Sequence, residues 1–157
     1  CAGKTFLRNA VAHPLLCEAR PARAALVRFD TPVRILSSKV LLESLSFEDL
    51  IRSLSRRLSL LSRAYTDQII QWDEAEMLKA ARGVRTASAL WRKVDFERYS
   101  MTHAATDHKL ALPAIEGWAL YEGELEPFTP ILEAGRILHA GKNATIGFGH
   151  YEVVYDR

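Results

Sequence analysis

Strand-like and helix-like patterning alternate along the chain in the order strand, helix, strand, strand, helix, strand, and that order predicts an α+β fold. Three observations carry the expectation. The first is "SFEDLIRSLSRRLSLLSRAY" (46–65), where Leu50, Leu54, Leu58 and Leu61 make one apolar stripe at helical spacing. The second is a pair of long strand-like stretches, 84–100 and 109–125, joined by the polar octet "MTHAATDH", which reads as a hairpin tip. The third is size: 157 residues, 48% hydrophobic and 25% charged, suit one ordinary domain able to bury its own core.

Taken in order, residues 1–22 are irregular, punctuated by Pro14 and Pro21, and read as an N-terminal arm or linker; the domain proper spans 23–157. "AALVRFDTPVRIL" (24–36) is rich in β-branched and apolar residues and reads as a strand, with Pro32 placing it at an edge or a bulge. The 46–65 helix opens on a capping box, Ser46 with Asp49, flanked by Leu45 and Leu50 as a hydrophobic staple. A shorter helix is expected around 72–82, before the two hairpin strands, in which Trp91, Phe96 and Trp118 are assigned to the core. "PFTPILEAGRILHAG" (127–141) reads as a helix with Thr129 as cap, Pro130 in the first turn and Gly141 as its stop. "GFGHYEVVYD" (147–156) is the last strand. This is the split βαβ, or ferredoxin-like, arrangement: a four-stranded antiparallel sheet with two helices on one face. The sequence contains no internal repeat or low-complexity segment.

Several function classes are disfavoured by composition. No run approaches the roughly eighteen apolar residues of a membrane span, and the N-terminus lacks the regions of a signal peptide, so a soluble, cytoplasmic protein without membrane association is expected. Cys1 and Cys17 have no histidine partners at ligand spacing, and no metal or cofactor is expected. A first residue other than Met suggests a fragment or a processed chain. "AGKTF" at the start imitates the end of a Walker loop, but the preceding glycine and strand are missing. The net charge of +2 hides an asymmetry: residues 1–65 hold eleven Lys or Arg against five acids, and 66–157 hold ten against fourteen. A basic half can face a polyanion, although solvated surfaces are commonly basic too.

The segment "HAGKNATIGFGHYEV" (139–153) is the most unusual in the chain. Glycines so spaced let a backbone bend through left-handed conformations and approach another chain closely. Backbone N–H groups and the Lys142 ammonium could then meet phosphate oxygens. The residues alone favour the plainer reading, a helix cap at Gly141 and a bulge at Gly147 and Gly149. Arg52, Arg56 and Arg63 share one face of the 46–65 helix with Arg57 beside them, either a phosphate-facing strip or a solvated face. Arg98 followed by Tyr99 offers a charge and a stacking ring for single-stranded RNA. His103, Asp107 and His108 cluster in the hairpin tip and read as a polar loop in preference to a metal or acid–base site. His139 reads as a C-terminal cap that positions the glycine loop, while His150 can point to either side of the last strand.

In sequence order, "FDTPVRI", "SFEDLIRSLSRRLSLL", "FERYS", "GWALYEGELEPFTPILEAGRILHAGK" and "GFGHYEV" resemble the C-terminal half of the CRISPR-associated endoribonucleases that process precursor CRISPR RNA, members of the RAMP superfamily. The resemblance runs from about 24 to 155; Pro113 with Ala114, and the acidic "ELE" after Gly123, depart from the family pattern. It implies a ferredoxin-like RAMP domain whose RNA-binding set is Arg56, Arg57, Arg98, Tyr99, His139, Gly141, Lys142, Asn143, Thr145, Gly147, Phe148 and Gly149. It further implies metal-independent cleavage within the repeats by a ribose 2′-hydroxyl, leaving a 2′,3′-cyclic phosphate. In the family the acid and base commonly lie in an N-terminal ferredoxin-like domain, which these 157 residues are not expected to include, so the catalytic residues are unassigned. The implied partners are CRISPR repeat RNA, that N-terminal domain and other CRISPR-associated proteins. Two alternatives stay open: a non-catalytic crRNA-binding subunit of an effector complex, and an RNA-capture domain fused to a CRISPR adaptation enzyme.

Overall fold

The computed structural model describes residues 15–67, 70, 72–102 and 106–157, with side chains given outside 96–111 and 145. Four strands form one antiparallel sheet: β1 (Ala24–Phe29), β4 (Arg85–Thr102), β5 (Thr106–Glu122) and β6 (Tyr151–Asp156), in the spatial order β4-β5-β1-β6. A two-stranded hairpin, β2 (Leu36–Ser37) with β3 (Val40–Leu41), stands apart from it. Three helices complete the chain: α1 (Phe47–Tyr65), α2 (Glu74–Arg82) and α3 (Thr129–Leu138). The main sheet with α1 and α3 is the ferredoxin-like fold, with β1 central and paired on both flanks.

One face of the sheet carries the core. Ala25, Val27 and Phe29 of β1, Ala119 and Tyr121 of β5, and Tyr151 of β6 are buried beneath Leu50, Ile51, Leu54 and Leu58 of α1 and Ile131 and Leu132 of α3. Burying each such aliphatic side chain contributes about 1.5–3 kcal/mol, and α1 places four of them on one face because they fall three or four residues apart. Phe47 meets Tyr121 and Phe128 edge-on, with ring centroids 5.2 and 5.0 Å apart. The two buried phenols are satisfied: Tyr121 donates to the Leu45 carbonyl at 2.8 Å and Tyr151 to that of Leu132 at 2.6 Å. The capping box forms as the sequence predicts. Asp49 N–H donates to Ser46 Oγ, and Ser46 N–H donates back to the Asp49 carboxylate, each at 3.1 Å.

Several expected boundaries move. The 24–36 strand breaks after Phe29: Pro32 lacks an N–H, only Val33 bridges β5 beyond it, through Ile115, and the chain then turns into the β2–β3 hairpin. Ser38 and Lys39, both at positive φ (49° and 65°), make that turn. The 127–141 helix is α3 preceded by a 3₁₀ turn, Glu126–Phe128, and it ends at His139 instead of Gly141. Thr129 is not its cap; its hydroxyl donates to the Glu126 carbonyl and accepts from Arg20 N–H. The last strand begins at Tyr151, because 147–149 are spent in a turn. Alternation along β5 puts half-buried Trp118 on the face opposite Tyr121, outside the core; Trp91 packs on Phe29 at 6.0 Å, and the Phe96 side chain lies outside the described residues. Within 15–22, the chain lacks regular structure and lies against the domain, with Arg20 stacked over the Tyr155 ring at 5.5 Å. Residues 1–14, with Cys1 and "AGKTF", are outside the described residues. Among the described residues no helix is long and apolar enough to cross a membrane.

Burial pushes the Tyr121, Tyr151 and Tyr155 phenols above their ordinary value, helped by the negative charge of Asp49 at Tyr121 and of Glu133 at the other two. The unfolded chain releases these protons near pH 10, so it binds fewer protons than the fold above that pH. Stability is therefore expected to hold up to about pH 10 and to fall as pH rises further, in step with phenolate absorbance. Urea titrations from pH 8 to 12 check this; unchanged stability across the range would contradict it.

Candidate nucleic-acid interface

The glycine-rich segment is built on the continuation of β1. Leaving the sheet at Phe29, the chain runs alongside residues 140–149 and offers them two carbonyls: Gly149 N–H donates to Pro32 O at 2.8 Å and Lys142 N–H to Arg34 O at 2.7 Å. Ala140 N–H donates to Gly149 O at 2.9 Å and pinches the loop at its base. Thr31 adds a third tie, its hydroxyl donating to Gly147 O at 2.7 Å and accepting from His150 N–H at 2.9 Å.

This arrangement separates the glycines by role. A Cβ on Gly149 (φ 79°) would lie 1.8 Å from Ala140 O, and one on Gly141 (φ 75°) 2.4 Å from Arg34 O, so both are dictated by chain-to-chain contact inside the protein. Gly147, at φ 94°, has nothing within 4 Å of its Cβ position. Only at Gly147 does the backbone leave room for another molecule. The expected row of free N–H donors is also reduced, because the amides of Ala140, Lys142, Ile146, Gly147, Phe148 and Gly149 all donate within the protein. An anion at this loop would rest chiefly on side chains.

Those side chains lie around an open groove of about 720 Å³ between α1, the β2–β3 hairpin and the start of the loop. Arg34, Arg52, Arg56, Arg57 and Lys142 line it, with Asp49 as the one acid. Their charges are not equally available. Arg52 is held by Glu48 at 2.6 Å and Asp49 at 3.7 Å. Arg57 donates to the Leu138 carbonyl at 2.8 Å, satisfying the end of α3. Arg56 and Lys142 are exposed, and no ion pair engages either among the described residues. Arg34 lines the groove with its Nε shielded and without a protein acceptor.

The twelve sequence-implied residues therefore divide. Arg56, Arg57, Gly141 and Lys142 come together in the groove. Asn143, in the left-handed region at φ 63°, and Gly147 follow in the loop. Phe148 is 3% exposed, so its ring anchors the loop and is not presented for stacking. Gly149 is buried with it. His139 takes φ 67°, ψ 155° at the end of α3, and its Nδ1 donates to Phe148 O at 3.1 Å. The backbones of Arg98 and Tyr99 pair with Leu110 and Lys109 far along the β4–β5 hairpin, and their side chains, like that of Thr145, lie outside the described residues. His103 lies outside them altogether; Asp107 and His108 belong to β5, their side chains undescribed. Sequence reading missed Arg34 and the β2–β3 hairpin as a groove wall, since Ser38-Lys39 lacks the glycine or asparagine that signals a tight hairpin.

A second cluster forms behind the loop. The His139 and His150 rings are 5.2 Å apart; His150 Nδ1 is 3.3 Å from Asp30 and its Nε2 3.6 Å from Glu152. Asp30 also pairs with Arg28 at 3.5 Å, and Glu152 with Arg136 at 3.4 Å. Each ring nitrogen of His150 addresses a different carboxylate, and each carboxylate already has an arginine. One donor atom from each of Asp30, His150 and Glu152 lies within 4.8 Å of the others, but both carboxylates are already engaged by arginine. Neither histidine lines the groove.

Comparison with known proteins gives one family and one fold. Residues 27–151 match the CRISPR-associated endoribonuclease Cas6 family. No curated protein matches the sequence. Among solved structures, Thermus thermophilus Cas6 superposes with a TM-score of 0.58 at 15% identity, over 87% of this chain and 55% of that one. A Cas6 product complex gives 0.61 at 16% identity, over 87% and 53%. A partial Cas6-RT-Cas1–Cas2 complex gives 0.60 at 13% identity, over 87% and 23%. The chain spans about half the length of the Cas6 structures it matches. Identities this low speak for the ferredoxin-like fold, and the family match over most of the sequence places the chain among the CRISPR-associated endoribonucleases of the Cas6 family.

Proposed function

We propose that this chain is the RNA-gripping ferredoxin-like part, residues 23–157, of a Cas6 endoribonuclease that cuts precursor CRISPR RNA within its repeats. The observation that carries the reading is the groove: exposed Arg56 and Lys142, with Arg34, face one open channel. Exposed cations of this kind bind the phosphate backbone without reading its sequence. Membership of the Cas6 family supports repeat RNA as the polyanion. The reading also places the protein in the cytoplasm with its transcripts.

Cleavage in this reading needs no metal. The 2′-hydroxyl attacks the adjacent phosphorus in line as a base removes its proton, and an acid protonates the departing 5′-oxygen. The groove holds and orients the strand but offers no histidine of its own; Asp49 is occupied by Ser46 and Arg52. The acid and base are therefore assigned to another domain or subunit. A second reading, an RNA-capture domain joined to an adaptation enzyme, is favoured by the likeness to the Cas6-RT-Cas1–Cas2 complex. Both share the same grip on RNA.

Lys142→Ala and Arg56→Ala are each expected to weaken binding across RNA sequences and to flatten the salt dependence by about one phosphate contact. Filter binding at several salt concentrations reads this, and unaltered slopes would remove the groove as the RNA site.

The glycines give a separable pair of outcomes. Gly149→Ala should cost about 3 kcal/mol or more, backbone strain plus overpacking against Ala140. Gly147→Ala should cost about 1–2 kcal/mol, strain alone. Yet Gly147→Val, where it folds, should lose RNA affinity because it fills the open approach. Urea unfolding and RNA titration of the same variants separate stability from binding.

The 157 residues alone should bind repeat RNA and cut it negligibly, with or without EDTA. In a Cas6 assembly containing this chain, deoxyribose at the cut site should abolish cleavage and spare most binding. Efficient cutting by the chain alone, lost in His139→Ala or His150→Ala, would relocate the chemistry to the cluster behind the loop.

A further inference from the structure

A smaller hollow of about 340 Å³ adjoins the groove on the outer side of α1. The two share Arg56 and Leu60, so a strand lying in the groove can pass over these side chains into the hollow without leaving the surface. The hollow is mostly apolar, and its floor includes Trp72. That indole is half-buried, and its Nε1 donates to Ser59 Oγ, which fixes the orientation of the ring. Leu60 is 68% exposed and lines both the groove and the hollow. Arg56 and Arg63 stand at either end of the same side, seven residues and about 10 Å apart along the helix. Neither arginine has an ion pair among the described residues. Glu74 is the hollow's one acid.

We infer that this hollow is a nucleobase subsite, in which one base of single-stranded RNA leaving the groove stacks on Trp72 and Leu60 while its phosphates lie between Arg56 and Arg63. The inference rests on the RNA-binding reading of the groove and adds what the strand does next. An aromatic ring held by its N–H beside arginines suits a base and its phosphate, since any base has a face to stack and the guanidinium groups take the charge. The carboxylate of Glu74 repels phosphate, which keeps the backbone on the arginine side. A paired duplex has no free base to insert, so the occupant is unpaired RNA.

The test compares a single-stranded oligoribonucleotide with a ribose-phosphate strand of equal length lacking bases. Trp72→Ala and Leu60→Ser should weaken binding of the oligoribonucleotide about tenfold and leave the abasic strand unchanged, in keeping with the energy of one stacked base. Trp72→Phe should restore most of the loss, and the indole fluorescence quenched by RNA in the native chain should be missing from it. Leu60 is exposed enough for Leu60→Ser to fold even where Trp72→Ala does not. Oligoribonucleotide affinity unchanged in Leu60→Ser and Trp72→Ala, with Lys142→Ala still weakened, would overturn the subsite and keep the groove. No loss in any of these variants would overturn both.

Discussion

The carbonyls of Pro32 and Arg34 fix the candidate site. Strand β1 is hydrogen-bonded on both flanks, so the chain that leaves it at Phe29 starts from a firmly held point of the sheet. Gly149 and Lys142 donate to those two carbonyls, and Thr31 clasps Gly147 and His150 from the same segment. Each bond contributes only about 1 kcal/mol net, but an unpaired amide buried here would cost more. The loop, with little regular structure of its own, therefore takes its shape from the strand beside it. Glycine at 141 and 149 is the steric consequence of that close approach, and the open space at Gly147 is what the stitching leaves over.

What could be read from sequence was what is local. The stripe Leu50, Leu54, Leu58 and the Ser46–Asp49 box specify α1 within a few turns of chain, and both hairpin strands declare themselves by composition and length. The β2–β3 hairpin was illegible because Ser38 and Lys39 adopt positive φ without the usual residues, held by the pairing of Leu36 with Leu41. The end of α3 was misplaced because His139 already takes a positive φ and stops the helix two residues before Gly141. In the site, Lys142 and Arg56 were legible as exposed cations. Arg57, one position away, was not separable from Arg56, since its partner is the Leu138 carbonyl, 81 residues distant. Phe148 carries no sign in sequence of whether it faces solvent or anchors a loop.

Charge tells a similar story at larger scale. A surplus of cations in the first 65 residues suggested a polyanion, but Arg52 is consumed by Glu48 and Asp49, Arg57 by a helix end and Arg28 by Asp30. Arg52 and Arg57 therefore line the groove with their charge partly met inside the protein, while Arg34, Arg56 and Lys142 lie in the same groove with no ion pair among the described residues.

The distribution of histidine completes the argument about division of labour. His139 is held by the Phe148 carbonyl and His150 by two carboxylates. A general base must reach the proton it removes, and neither ring lines the channel where a phosphate would lie. Their bonds instead reinforce the loop from behind: His139 fixes Phe148, while the His150 amide meets Thr31, the residue that holds Gly147. Lys142 stays exposed on the wall of the groove, clear of these bonds.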